Sequence, residues 1–157
     1  MVKKLYYILL ILWMILIFSL SSQVQEKSHN LSTGITEVVA ETIEKIVPNK
    51  EIDMKKIHHL IRKNAHFFAY FILCILAMKA LRYSGIRGWK NILGALAVCV
   101  LYAISDEIHQ AFVPGRGPGV KDVLIDSAGA IAGIMVYSLG GIIRDRFVGR
   151  NRRGHSL

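Results

Sequence analysis

The stretch Ile92-Leu93-Gly94-Ala95-Leu96-Ala97-Val98-Cys99-Val100-Leu101-Tyr102-Ala103-Ile104, followed at once by Ser105-Asp106-Glu107-Ile108-His109-Gln110-Ala111-Phe112-Val113-Pro114-Gly115-Arg116, decides how the chain folds. The first part carries no charge and reads as most of a membrane-crossing helix. The second packs two carboxylates, an imidazole, an amide and a guanidinium into twelve residues. Asp106 and Glu107 therefore arrive where such a helix should still be finishing. Ionisable groups at membrane depth are costly and point to a function.

The composition supports a membrane setting. Of 157 residues, 53% are hydrophobic, and the mean hydropathy is +0.41. The net charge of +9 comes from short basic blocks between apolar runs. That pattern marks the edges of spans and argues against nucleic acid as a partner. Cys74 and Cys99 fall inside apolar runs, where free cysteine behaves as a small buried hydrophobe.

Working outward gives four spans, at about Leu5–Gln23, Ala65–Leu81, Asn91–Ile108 and Val123–Ile143, in a single membrane domain over residues 1–157. The expected fold is an all-α integral membrane protein, a four-transmembrane-helix bundle. Between the first two spans an amphipathic extracytoplasmic segment is expected. Leu31, Ile35, Val38, Val39, Thr42 and Ile46 recur at helical spacing over Ser32–Val47, and Pro48 stops the pattern. Asp53 would cap a further helix from Met54 that leads straight into the second span.

Counted between charges the later spans are short. Lys63 to Lys79 and Lys90 to Asp106 each enclose fifteen residues. Fifteen residues rise about 22 Å, against an apolar bilayer core of about 30 Å. Lys79 can snorkel to the interface. Asp106 and Asp126 are too short for that, which puts them inside the protein near one membrane surface.

Basic residues set the orientation. With the amino terminus in the cytoplasm, the inner segments hold eleven basic residues and one acid, Asp145. Both termini then lie inside. Three spans consequently bring their polar residues to the outer face. Arg62, His66 and Tyr70, at i, i+4 and i+8, begin the second span. Asp106, Glu107, His109 and Gln110 end the third, and Asp122 and Asp126 begin the fourth. Between these lies a loop rich in glycine and proline, where Arg116 and Lys121 would help form an anion-binding nest.

Structural roles are open to the same residues. His66 can cap its helix, Asp106 can pair with Arg62 or Arg116, and Asp122 can be an N-cap. Gly129-Ala130-Ile131-Ala132-Gly133 has the small-x-x-x-small spacing of close helix packing.

Arg62-Lys63-Asn64-Ala65-His66-Phe67-Phe68-Ala69-Tyr70-Phe71, the Ser105–Arg116 stretch and Asp122-Val123-Leu124-Ile125-Asp126-Ser127-Ala128-Gly129 closely resemble the VanZ-like family. The resemblance extends to Ser21-Ser22-Gln23 and covers essentially the whole chain. It implies a bacterial cytoplasmic-membrane protein, and through the family's namesake a link to low-level teicoplanin resistance. Many members carry Asn where this chain has Asp126.

Three functions compete. The outer cluster could bind a polar headgroup, such as a phosphorylated cell-wall lipid or precursor, with Arg62, Arg116 and Lys121 on the anion. Alternatively, His66, Asp106, Glu107, His109, Asp122 and Asp126 could hold a divalent metal and hydrolyse a lipid. No His-Glu-x-x-His signature is present, so no cofactor is expected and an enzyme is the weaker reading. A transporter or structural subunit is the third. Mid-span residues are almost all apolar, so transport would call for an oligomer.

Overall fold

Every backbone amide inside a bilayer must be paired within its own segment, so apolar runs of this length become helices. The computed structural model describes residues 2–22, 54–113 and 119–153, and among these there are four helices and no strand. They are α1 (Val2–Ser21), α2 (Met54–Tyr83), α3 (Trp89–Gln110) and α4 (Val120–Arg153). Each contains a segment long and apolar enough to cross a membrane: Lys4–Ser21, His59–Tyr83, Trp89–Gln110 and Val120–Gly141. The chain is a multi-pass membrane protein. The expected helix over Ser32–Val47, the Asp53 cap and Arg116 lie outside the described residues.

The helices run past the charges that bounded them in the sequence. The helix expected from Met54 and the second span are one unbroken helix, and α4 begins at Val120. The shortfall in span length disappears because Lys63, Asp106, Asp122 and Asp126 all lie within helix, with Asp106 and Asp126 buried by neighbouring helices.

α2 packs against each of the other three helices. α1 turns Leu10, Trp13, Met14 and Ile17 inward and leaves Leu5, Ile8, Leu12 and Ile15 exposed, a lipid-facing surface. Two bonds fasten it. Trp13 Nε1 donates to the Ala69 carbonyl at 2.9 Å, and the Tyr102 hydroxyl donates to the Met14 carbonyl at 2.5 Å. On α3, Asn91, Ala95, Cys99 and Ala103 are buried at four-residue intervals, so small side chains let α3 come close to α2. Cys74 and Cys99 are buried free thiols in this core.

α4 meets α2 backbone to backbone. A Cβ at Gly129 would lie 2.2 Å from the Phe67 carbonyl oxygen, and one at Gly133 would lie 2.7 Å from that of Phe71. The glycine pair is therefore a packing seam, as its spacing suggests.

The α2–α3 turn is set by Gly85, at φ 94°. The Ile86 amide bonds the Leu81 carbonyl and the Gly85 amide bonds that of Arg82, a Schellman ending that needs glycine at its left-handed position. Buried Asn91 pins this turn by donating to the carbonyls of Met78 at 3.0 Å and Ile86 at 2.9 Å. At the same end Lys79 lies over the Tyr6 ring at 5.6 Å, a cation–π contact that holds its charge toward the helix ends. The opposite end gathers the ends of α1 and α3 and the starts of α2 and α4. The site lies there.

Candidate functional site

Successive residues of a helix are turned by about 100°, so Asp106, Glu107 and Gln110 share one side of α3 while His109 falls about 60° away on the other flank of Asp106. The structure follows this division. Asp106 is 2% exposed. It accepts a hydrogen bond from Ser21 Oγ of α1 and a 2.9 Å bond from Gln110 Nε2. Glu107 is also buried, and its Oε2 accepts the Gly119 amide at 2.7 Å, tying α3 to the start of α4. His109 instead stacks against Phe18 of α1, with ring centroids 4.3 Å apart.

The second half of the site lies between α2 and α4. Lys63 Nζ lies 3.6 Å from Asp122 Oδ1, with both side chains more than a quarter exposed. One turn deeper, His66 Nδ1 lies 3.6 Å from Asp126 Oδ1. The His66 side chain is 22% exposed and that of Asp126 only 1%. The glycine seam is what brings these pairs together. Gly129 lies three residues after Asp126, and the Phe67 carbonyl it meets belongs to the residue after His66.

A partly open pocket runs down between the three helices. Arg62, Lys63 and His66 line it from α2, Glu107 and Gln110 from α3, and Asp122, Ile125 and Asp126 from α4. Three carboxylates thus face two permanent cations and one imidazole. Among the described residues, no three His, Cys, Asp or Glu side chains converge at metal-ligand spacing.

Of the residues singled out in the sequence, Arg62, His66, Glu107, Gln110, Asp122 and Asp126 meet in this pocket. Asp106 stands behind it, holding Gln110 and Ser21. The ion pair of Asp106 with Arg62 is not formed, because the Ser21 hydroxyl occupies one oxygen and the Gln110 amide the other. Tyr70 lies deeper, fully buried against Tyr102 at 6.2 Å between centroids. Lys121 is exposed and does not line the pocket. Asp122 is not an N-cap. Helix α4 begins at Val120, so Asp122 sits inside the first turn and turns its carboxylate to Lys63.

Lys63 and Ser21 were not singled out as site residues. Lys63 lies about one turn before His66, as Asp122 lies about one turn before Asp126, and a cation one turn from His66 was the available signal. For Ser21 the signal was its place at the polar end of the first span.

Comparison with curated proteins finds no match, and comparison with solved structures finds none either. A family model described as VanZ/LLP1 matches residues 6–143, a range that takes in nearly all of the four spans and every residue of the pocket. The chain belongs to the VanZ/LLP1 family.

Proposed function

We propose that the protein binds a polar lipid or cell-wall precursor headgroup at the outer leaflet of a bacterial cytoplasmic membrane, with both termini in the cytoplasm. Through that binding it would contribute to envelope modification or teicoplanin resistance. One observation carries this reading: a pocket with charges of both signs lies where three spanning helices end, partly open to the outside. A headgroup at that depth can enter from the leaflet while its acyl chains stay in lipid against the apolar outer faces of the bundle. Arg62 and Lys63 stand at the mouth to take a phosphate or carboxylate, and the arginine fork can do so with two hydrogen bonds. The orientation rests on the basic residues at the opposite helix ends.

Native mass spectrometry of protein purified gently from its membranes tests the reading. Wild-type protein should retain a phospholipid or cell-wall precursor, and Arg62→Ala/Lys63→Ala should lose it while remaining folded. In a host producing the chain, the teicoplanin concentration needed for inhibition should rise, and fall back with the double variant. Wild-type protein without bound lipid, and equal lipid retention by both proteins, each refute the proposal.

A further inference from the structure

The end of the bundle opposite the pocket carries a second charged surface, built differently. There the start of α1 meets the α2–α3 turn. The Tyr6 and Tyr83 rings stack with centroids 4.8 Å apart, and the Tyr7 and Ser84 hydroxyls share a 2.6 Å hydrogen bond. Five cations belong to these segments: Lys4 of α1, Lys79 and Arg82 of α2, Arg87 of the turn and Lys90 of α3. Lys79 is half-buried over the Tyr6 ring, and the other four are exposed. None of the five pairs with a carboxylate among the described residues. The reason lies in the sequence, which has no Asp or Glu from residue 1 to 25 or from residue 64 to 105. Asp145 of α4 lies outside the described side chains.

Cations gathered without acids repel one another, and an anion relieves that repulsion. Because the surface forms where spans end, the anion within reach is the headgroup of a neighbouring lipid. Trp89, Tyr7 and Tyr83 are 66%, 40% and 40% exposed at the same end. Such amphipathic rings settle at headgroup depth, which sets the cations level with lipid phosphates. The turn that carries Arg87 is held by the Gly85 ending and by Asn91, so little order has to be imposed when a headgroup docks.

The sign of the charges selects among headgroups. The pocket presents both signs, whereas this end presents only positive charge among the described residues. A zwitterionic headgroup would bring an ammonium, which can only donate, to a surface that offers it no carboxylate. We infer that this end binds a phospholipid of net negative charge whose headgroup carries no ammonium, of the phosphatidylglycerol class. Its phosphate lies against the cations of the α2–α3 turn, where the arginines can hold it with paired N–H groups. This site is separate from the pocket and does not depend on the reading given for it.

The test places the full-length protein in nanodiscs of phosphatidylcholine containing equal minor shares of phosphatidylglycerol, phosphatidylserine and phosphatidylethanolamine, and counts retained lipid by native mass spectrometry. Phosphatidylglycerol should be retained most, at least about tenfold over phosphatidylcholine. Phosphatidylserine, which has the net charge but also an ammonium, should fall between them. Arg82→Gln/Arg87→Gln/Lys90→Gln should reduce the preference to about twofold or less, and Arg87→Gln alone should lower it about threefold. All three side chains are exposed, so unfolding in SDS should not shift. Arg62→Ala/Lys63→Ala, which disables the pocket, should leave the preference intact; its loss there would move the lipid to the pocket and overturn the inference. Equal retention of phosphatidylglycerol and phosphatidylserine would overturn the choice of headgroup. Equal retention of all four lipids, or an undiminished preference in both turn variants, would overturn the site and leave the pocket reading standing.

Discussion

The Gly129→Ala substitution tests the geometry on which the site depends. The new Cβ would stand 2.2 Å from the Phe67 carbonyl oxygen, where real contacts of this kind stay beyond 3.0 Å. The obstacle is backbone on both sides, so no side chain can swing away, and α4 must retreat from α2 by at least about 0.8 Å, the difference of those distances. A gap of that size forfeits roughly a quarter to a half of the dispersion energy of neighbouring contacts. Overpacking of this kind costs about 1–3 kcal/mol, or roughly five- to more than a hundredfold in the folding equilibrium. The same retreat separates His66 from Asp126, which the seam holds 3.6 Å apart, so headgroup retention should fall with stability. The assay is an equilibrium detergent-denaturant titration in SDS, followed by tryptophan fluorescence. Gly140→Ala is the control, because its Cβ would meet nothing within 4 Å. If the two variants unfold at the same SDS fraction, α4 does not pack on α2 as described.

Ser21→Ala removes the hydroxyl that binds buried Asp106; by SDS titration it should cost about 1.5–3 kcal/mol, the usual worth of a bond to a charged group, and a neutral result would mean that α1 does not dock there. Lys63→Met should change stability by less than about 1 kcal/mol, since its ion pair with Asp122 is partly exposed, while headgroup retention falls sharply; a large stability loss with retention intact would make Lys63 a structural residue. Tyr102→Phe, which deletes the bond to the Met14 carbonyl, should cost about 1 kcal/mol in the same titration and leave lipid retention unchanged, because Tyr102 does not line the pocket.

The four spans were legible because a long uncharged run has one stable form in lipid, and the glycine seam was legible because its spacing fits one face of a helix. Partners were harder to read. Coulomb attraction makes Arg62 a natural companion of Asp106, yet Ser21 and Gln110 bond it instead. A hydroxyl at the end of another helix leaves no mark in the sequence near Asp106. Tyr70 shares a helical face with Arg62 and His66, but the face slants inward. Two turns of helix carry it about 12 Å along the axis, from the pocket into the core. His109 and Gln110 stand at i+3 and i+4 from Asp106, spacings that look alike in a sequence. They fall on opposite flanks of the i residue, and here the flanks face different helices.

The core below the pocket bears on what the site can do with its ligand. Beneath Asp126 come Tyr70, Leu73, Cys74, Ala77, Ala95, Cys99 and Ala103, all buried. Cys74 and Cys99 are free thiols that carry no charge into this core. The buried polar residue at the far end, Asn91, has its side-chain nitrogen committed to two carbonyls of the α2–α3 turn. A charged headgroup moving through this bundle would find no charged partner for most of the membrane's thickness, and desolvating it there costs several kcal/mol or more. Charges clustered at one end above an apolar plug therefore favour holding a headgroup at its own leaflet over carrying it across. That also gives the bundle a reason to place its carboxylates only a turn or two below the surface. There their desolvation is partial and can be offset by a ligand that enters from outside, whereas at mid-span no ligand could reach them.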